Sequence, residues 1–137
     1  MATPPAEGAS NSPTASGAAG LADRRCVPCQ GGTPPLTRAQ FTPLFTQLEG
    51  WQIDNEKMLV KVFRFKNFVR AVEFVNAIMP VAEAENHHPD LRVSWGQVRV
   101  ELWTHKINGL SEGDFVMAAK IDRVYSRAAG AAAGETG

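Results

Sequence analysis

The sequence predicts an α+β fold, a two-layer sandwich in which a four-stranded antiparallel sheet carries three helices on one face. Two pairs of short segments rich in β-branched and aromatic residues are each joined by a tight turn, as in β-hairpins. Three further segments repeat apolar residues every three or four positions, as amphipathic helices do. The predicted order is α-β-β-α-β-β-α. Because hairpin strands are antiparallel and these have one apolar face, the helices can cover that face.

The first helix is predicted from Thr37 and Gln40, which form a capping-box pattern before an apolar run that stops at Gly50. Pro43 lies inside this run. The helix could therefore begin instead at Thr42, with Pro43 in its first turn.

The first predicted hairpin has strands over residues 51–54 and 57–65. After it, Asn67 is a suitable N-cap for a long amphipathic helix. Pro80 lacks a backbone donor, so we expect a kink there. The apolar stripe of this helix consists of Phe68, Ala71, Val72, Val75, Met79 and Ala82.

The second predicted hairpin turns at Gly96, and apolar and polar residues alternate along both of its strands. Its apolar positions are Leu91, Val93, Trp95, Val98, Val100 and Leu102. Trp95 is accordingly expected to pack in the core or at its rim. Ser111 and Asp114 can cap a last helix, whose apolar residues are Phe115, Ala118, Ile121 and Tyr125.

The two ends of the chain differ in composition from its middle. Residues 1–32 form a leader rich in Ala, Pro, Gly, Ser and Thr, and residues 128–137 form a similar tail. Because such segments have no apolar periodicity that could bury a face, we expect both to be disordered around a folded domain over residues 33–127. The leader contains Cys26 and Cys29, and such a CxxC pair can be a redox dithiol, half of a zinc site or inert.

Composition argues against several functional classes. The 14 basic and 14 acidic residues cancel, unlike the surface of a nucleic-acid-binding protein. No apolar run approaches the ~18–20 residues of a membrane helix. Two cysteines cannot form a disulfide scaffold. The leader has no basic residue before Arg24 and no apolar signal segment, which favours a cytoplasmic protein, while its Ser and Ala content leaves a plastid leader open.

The candidate chemistry lies in the histidines. His87, His88 and His105 are the three histidines of the chain, at the start of one strand and the end of its hairpin partner. Hairpin pairing brings those ends together, so the imidazoles can line one pocket. Glu83 and Asn86 add polar groups at the end of the preceding helix. The alternative is structural: the histidine pair caps a helix end, and His105 is a solvated surface residue.

A metal site is a second alternative, since three imidazoles with a carboxylate can activate water on a bound ion. However, adjacent residues such as His87 and His88 rarely ligate one ion together, and neither the HExxH nor the HxE…CxxC spacing is present. The sequence therefore predicts no metal.

A set of spaced residues extends from the long helix to the last one: Glu83, His87, His88, Pro89, Trp95, His105 and Asp114. Around them stand Gly50-Trp51, Thr104-His105 and Gly109-Leu110-Ser111. Together they resemble the signature of the pterin-4a-carbinolamine dehydratases, over a region from about Leu36 to Val124. The fold of that family, a four-stranded antiparallel sheet with three helices, agrees with the order predicted above.

The resemblance implies loss of water from a 4a-hydroxytetrahydropterin to give the quinonoid dihydropterin, with no metal or organic cofactor. It implies that His87 is the principal acid or base, that His105 is its catalytic partner, and that His88 takes part by holding the ring. It further implies contacts of Glu83 and Asn86 with the substrate or with its histidines, and contacts of Pro89 and Thr104 with the substrate. Structural or orienting roles fall to Asp114 and Trp95.

Two features stand apart from the commoner family pattern. Trp103 replaces a residue that is often small and polar, so the resemblance does not imply a hydrogen bond to the pterin from this position, and an aromatic wall is the alternative. The segment from Cys26 to Leu36 resembles the leader of a plant and bacterial branch.

The predicted partners follow from the fold and the resemblance. The predicted substrate is a small pterin, and the protein is expected to bind neither nucleic acid nor a membrane. The open sheet edge predicts a homodimer or homotetramer. Vertebrate members of the family also serve as dimerisation cofactors for a transcription factor through helix surfaces. That alternative function would need an exposed apolar stripe on the last helix, such as Phe115, Ile121 and Tyr125.

Overall fold

The computed structural model describes residues 17–26 and 32–135, with side chains placed over 20–26 and 32–128. Four strands form one antiparallel sheet in the order β1-β2-β4-β3. They are β1 (Gln52–Asp54), β2 (Met58–Arg64), β3 (Asp90–Ser94) and β4 (Gln97–Leu102). The helices are α1 (Gly17–Ala22), α2 (Arg38–Phe45), α3 (Phe68–Glu85) and α4 (Glu112–Glu135). The predicted fold class is confirmed.

Local sequence signals set the element boundaries. Thr37 caps α2, with the reciprocal Gln40 bond of a capping box, so the helix begins at Arg38 and not at Thr42. Asn67 caps α3 by accepting a 2.9 Å hydrogen bond from the N–H of Arg70. Helix α3 continues through Pro80 to Glu85.

The core lies between one face of the sheet and helices α3 and α4. In the β2 and β4 register, Leu59 pairs with Leu102 and Phe63 with Val98, which places these buried side chains on one face. The helices contribute buried Ala71, Phe74, Ile78, Ala82, Phe115, Ala118 and Ile121. Helix α4 thereby faces both the sheet and α3, and its first turn lies where α3 ends.

Part of the predicted leader is helical in the structure. Helix α1 packs against α4, and Leu21 and Ala22 are 0% and 3% exposed. Similarly, α4 extends to Glu135 through residues expected to form a disordered tail. Alanine-rich sequence has high helix propensity, and Leu21 supplies an apolar anchor that composition alone underweights. The expectations for residues 1–16, 27–31 and 136–137 lie outside the described residues.

Trp95 differs from its expected place. Ser94 pairs with Gln97, so Trp95 and Gly96 form a two-residue turn, and Trp95 is 68% exposed. The alternation of β3 thus ends one residue early, and the predicted core or rim packing of Trp95 is wrong. None of the helices over residues 17–26 and 32–135 combines the length and apolar character needed to cross a bilayer.

Candidate functional site

The central feature of the candidate site is a buried pair of side chains from two different helix ends. Asn86 ends α3 in the left-handed conformation (φ 51°, ψ 43°), and His87 follows it. Nε2 of His87 lies 2.7 Å from Oδ1 of Asp114 in the first turn of α4. The side chains of His87 and Asp114 are 14% and 0% exposed.

The carboxylate of Asp114 is held by further hydrogen bonds. Its Oδ2 accepts from the backbone N–H of Ser111 at 2.9 Å and from the hydroxyl of Thr104 at 2.8 Å. The hydroxyl of Ser111 lies 2.8 Å from that of Thr104 and 3.4 Å from the same Oδ2. Satisfied on both oxygens, Asp114 can remain buried and hold the His87 ring in one orientation.

This contact also bears on the tautomer of His87. Because an ionised carboxylate only accepts hydrogen bonds, the ring carries its proton on Nε2 when it is neutral, and Nδ1 is left for proton exchange. Gly113 lies beside that edge, since a Cβ added to it would stand 3.4 Å from Nδ1 of His87. With glycine there, no side chain from this position covers Nδ1.

His88 lies nearer the surface. Its Nε2 is 2.6 Å from Oε2 of Glu83, and the two side chains are 54% and 66% exposed. Glu83, expected to contact either the substrate or a histidine, contacts the histidine. An exposed pair of this kind contributes little stability, about 0–1 kcal/mol, so it mainly orients the two groups.

His105 begins a short 3₁₀ turn, His105–Ile107, directly after Thr104. Its ring stacks on Trp103 with centroids 4.0 Å apart and planes inclined by 28°. Nε2 of His105 is 4.0 Å from Oδ2 of Asp90, and the His105 side chain is 63% exposed. Trp103 therefore packs on this histidine, and an aromatic wall facing the pterin stays a prediction.

A chain of contacts connects the three histidines. Thr104 precedes His105 and bonds Asp114, which holds His87. Asp90, two residues after His88, contacts His105 across the hairpin. The fold thus brings the predicted catalytic residues into one region, while a shared pocket for one ligand stays a prediction.

The other predicted site residues make contacts within the fold or at its surface. The backbone N–H of Asn86 donates to Ala82 and Glu83, which closes α3, and half-buried Pro89 leads into β3. The hydroxyl of Thr104, expected on the substrate, is committed to Asp114. Trp95 at the hairpin tip orients no described group.

Sequence reasoning did not anticipate the roles of Asp90 and Ser111 in this network. For Ser111 a signal existed, because the Ser-x-x-Asp cap pattern already placed its N–H beside the Asp114 carboxylate. For Asp90 the signal was weak, since its contact with His105 depends on the hairpin register. Among the described residues, no group of three or more His, Cys, Asp or Glu side chains is arranged to hold a metal ion.

A cleft of about 310 Å³ lies elsewhere, between α1, α3 and α4. It is lined by apolar Pro80, Val81 and Val124 and by charged Glu85, Lys120, Arg123 and Arg127, with Ala22 and Ala84. Because the histidines lie outside this lining, the cleft is not the candidate catalytic site.

Comparisons with known proteins identify the family. The profile of the family described as pterin 4 alpha carbinolamine dehydratase matches residues 34–124. Two proteins named for pterin-4-alpha-carbinolamine dehydratase are similar over most of the chain. The one from Rickettsia canadensis (strain McKiel) is 48% identical over 103 residues, 74% of this chain and 94% of that protein. The one from Rubrobacter xylanophilus is 49% identical over 104 residues, 76% of this chain and 97% of that protein.

A solved structure agrees with this similarity. The crystal structure of a protein from Brucella melitensis, described as a transcriptional coactivator/pterin dehydratase, matches with a TM-score of 0.63 and 33% identity, over 66% of this chain and 98% of that one. The antiparallel sheet and the contact of His87 with Asp114 are therefore features of a chain that belongs to the pterin 4 alpha carbinolamine dehydratase family of hydro-lyases.

Proposed function

We propose that this protein removes water from a 4a-hydroxytetrahydropterin, giving the quinonoid dihydropterin, by histidine acid and base catalysis. The observation that carries the proposal is the 2.7 Å contact of His87 with the buried Asp114, in a chain of this family. The product would then return to the tetrahydropterin pool used in aromatic hydroxylation, as the resemblance implies.

The chemistry needs one proton donor and one acceptor. The bond from C4a to the hydroxyl oxygen breaks, the hydroxyl leaves with an added proton as water, and N5 gives up its proton as the C4a–N5 double bond forms. No electrons are exchanged with another reagent. Imidazole, with an ordinary pKa of about 6.5, can serve on either side of this transfer near neutral pH.

His87 is assigned to the principal proton transfer at the edge of the ring that carries C4a and N5. Its orientation by Asp114 supports this role, because a positioned group transfers protons at lower entropic cost. His105, stacked on Trp103, is assigned to the leaving hydroxyl. His88, oriented by Glu83, is assigned to holding the pterin.

The supporting residues take different parts in this proposal. Glu83 and Pro89 line the side of the site next to His88 and can contact the pterin. Asn86 and Thr104 act through the backbone turn and through Asp114, as positioning residues. No metal ion takes part, and we expect a chelator to leave the rate unchanged.

The proposal is tested by stopped-flow measurement of dehydration of chemically generated 4a-hydroxytetrahydropterin. Wild type should exceed the spontaneous rate, His87→Ala should lose about 10²-fold or more of that acceleration, and the exposed Lys106→Ala should match wild type. The dependence of kcat on pH should be bell-shaped. A wild-type protein that does not accelerate the reaction would refute the proposed activity, whereas equal rates for wild type and His87→Ala would refute only the assignment of His87.

The alternative function, docking of another protein on the last helix, is not favoured. Phe115 and Ile121 are 0% exposed, and Tyr125 packs its ring on Phe63, Phe65 and Phe74. The stripe expected on that helix therefore belongs to the core.

We further propose that the protein is a cytoplasmic homo-oligomer. Strand β3 lies at an edge of the sheet, with Val93 40% exposed on it and Trp95 at its end. On α3, Phe68, Val69 and Met79 are 50–60% exposed. A second copy paired along β3 would satisfy the outer edge of that strand, and α3 offers a second surface for a dimer of dimers.

A further inference from the structure

A short segment that begins at the last residue of α1, residues 22–26, is fastened to α3 and α4, and its Cys26 end lies near the His87 and Asp114 pair. We call this segment the strap. Seven hydrogen bonds of 2.8–3.5 Å attach it to the rest of the described chain. The partners outside the strap lie on α3 and α4, and they are Ala84, Glu85, Glu112, Gly113, Lys120 and Arg123. Of these, Glu85 and Gly113 lie nearest in sequence to His87 and Asp114.

The first anchor of the strap is a buried carboxylate. Glu85 ends α3, two residues before His87, and its side chain is 7% exposed. Its Oε1 accepts a 2.8 Å hydrogen bond from the backbone N–H of Cys26, and Oε2 is 3.0 Å from Nε of Arg25. Nζ of Lys120 is 3.6 Å away.

The charge of this carboxylate is matched by its surroundings. Burial acts to raise the pKa of Glu85, but the hydrogen bonds from Cys26 and Arg25 and the charge of Lys120 outweigh it and hold the pKa below its usual range. Glu85 is therefore ionised and bonded to the strap at neutral pH, since the same contacts that stabilise its charge fasten the segment.

The second anchor lies in the first turn of α4. Sγ of Cys26 is 3.5 Å from the carbonyl oxygen of Gly113, which precedes Asp114 and lies against the ring of His87. Burial, followed by the nearby Glu85 charge, raises the pKa of the Cys26 thiol to about 12. The thiol is therefore protonated and donates to this carbonyl.

We propose that the strap is a positioning element of the catalytic site, in which Glu85 and Cys26 set the approach of His87 to Asp114. Glu85 holds the chain just before His87, and Cys26 holds the chain just before Asp114. Both anchors meet in one residue of the strap, Cys26, so its backbone and side chain bridge the two helix ends. The inference rests on the proposed function for its kinetic test, and on the structure alone for its spectroscopic one.

This assignment gives Cys26 a use that needs no second cysteine. A redox dithiol requires a readily formed thiolate, and a half-buried thiol that donates to a carbonyl next to a carboxylate is poorly suited to form one. Cys29 lies outside the described residues, and the positioning role does not depend on it. We expect activity to depend on the hydrogen bond from the Cys26 thiol to the carbonyl oxygen of Gly113.

The test compares Cys26→Ala, Cys26→Ser and Glu85→Gln in the full chain under reducing conditions. Cys26→Ala removes the donor to Gly113, Cys26→Ser keeps a donor, and Glu85→Gln keeps an acceptor but loses the charge. We expect kcat to fall about three- to tenfold for Cys26→Ala and Glu85→Gln with KM within about twofold, because a small misplacement of a catalytic group slows chemistry more than binding. Cys26→Ser should recover kcat to within about threefold of wild type.

The matched control is Asp23→Ala. It removes the strap's 3.0 Å contact with Arg123, which lies nine residues after Asp114 along α4, so kcat should not change. Thermal melts of every variant should lie well above the assay temperature, which separates positioning from loss of fold.

A second measurement does not depend on turnover. The NMR signals of the His87 ring should shift in Cys26→Ala and return toward wild type in Cys26→Ser. If wild type is inactive but these shifts occur, the dehydratase proposal fails and the positioning inference stands. If Cys26→Ala changes neither kcat nor the His87 signals, or if Cys26→Ser behaves like Cys26→Ala, the positioning role of Cys26 is refuted.

Discussion

Asp114 accepts from the backbone N–H of Ser111 through Oδ2 and from the ring of His87 through Oδ1, so one carboxylate both begins helix α4 and orients the histidine. Its side chain is fully buried. A buried carboxylate is costly unless its hydrogen bonds are satisfied, and here the helix start, Thr104 and His87 satisfy them together. The first turn of α4 and the orientation of His87 therefore depend on the same carboxylate.

The first prediction concerns that carboxylate. Asp114→Asn keeps an oxygen that can accept from Ser111 and Thr104, but it presents an amide donor toward Nε2 of His87. The ring must then carry its proton on Nδ1, the wrong tautomer for exchange at that atom. We expect kcat to fall by about 10- to 10³-fold, and the free energy of unfolding to fall by about 1–3 kcal/mol.

Stopped-flow assays and urea unfolding measure the two effects, and Thr104→Ser serves as the control because it keeps the hydroxyl that bonds Asp114. An Asp114→Asn protein with wild-type kcat would show that the tautomer of His87 is irrelevant to turnover.

The second prediction concerns the stacked rings of Trp103 and His105. Trp103→Ala removes the surface on which the imidazole rests, and such aromatic contacts contribute about 0.5–1.5 kcal/mol. With His105 63% exposed, little else restrains it. We expect kcat to fall about three- to tenfold for Trp103→Ala, and to stay near wild type for Trp103→Phe, which keeps a ring. Equal rates for all three proteins would remove Trp103 from the site.

The third prediction concerns the Cys26 thiol, measured in a Cys29→Ser background where it is the only cysteine. Its pKa is raised from 9.0 to about 12 in the folded protein. At pH 8 we expect alkylation by iodoacetamide to be at least about 30-fold slower than in urea, since the thiolate is the reacting species. A rate equal to that of the unfolded chain would contradict the burial of this thiol.

The same shift predicts how stability depends on alkaline pH. The folded thiol ionises at higher pH than the unfolded one, so the unfolded chain loses its proton first. The stability that Cys26 contributes is complete below about pH 9 and is lost as the pH rises toward about 12. Urea unfolding at several pH values should show this loss in the Cys29→Ser protein and a smaller one after the further change Cys26→Ala.

The features predictable from sequence were those set by local rules. The caps at Thr37 and Asn67 follow from short patterns. The pairing of β3 with β4 does too, and this pairing is enough to place His105 near the chain that carries His88. The Ser111 and Asp114 cap was predicted too, but its second use, on His87, depends on the packing of α4 beside the end of α3.

The remaining features depend on contacts between residues far apart in sequence. Nothing local to Cys26 indicates that Glu85 lies beside it, 59 residues away along the chain. The prediction for Trp95 was wrong for a different reason. Trp95 continues the alternation of apolar residues along β3, so the sequence pattern does not show that the strand ends at Ser94. Only the register, in which Ser94 faces Gln97, decides that Trp95 is outside the strand.

The last prediction concerns self-association through β3. Val93 is 40% exposed on this edge strand, and a charge there should block edge-to-edge pairing while costing the monomer little. By sedimentation velocity, we expect wild type to be a dimer or tetramer. Val93→Lys should lose the β3 pairing, which converts a dimer to a monomer and a tetramer to a dimer joined through α3. Met79→Lys is the matched variant, because Met79 is 59% exposed on α3. It should reduce a tetramer to a dimer but leave the β3 pairing intact. A wild type that stays monomeric, or a Val93→Lys protein that associates like wild type, would rule out pairing along β3.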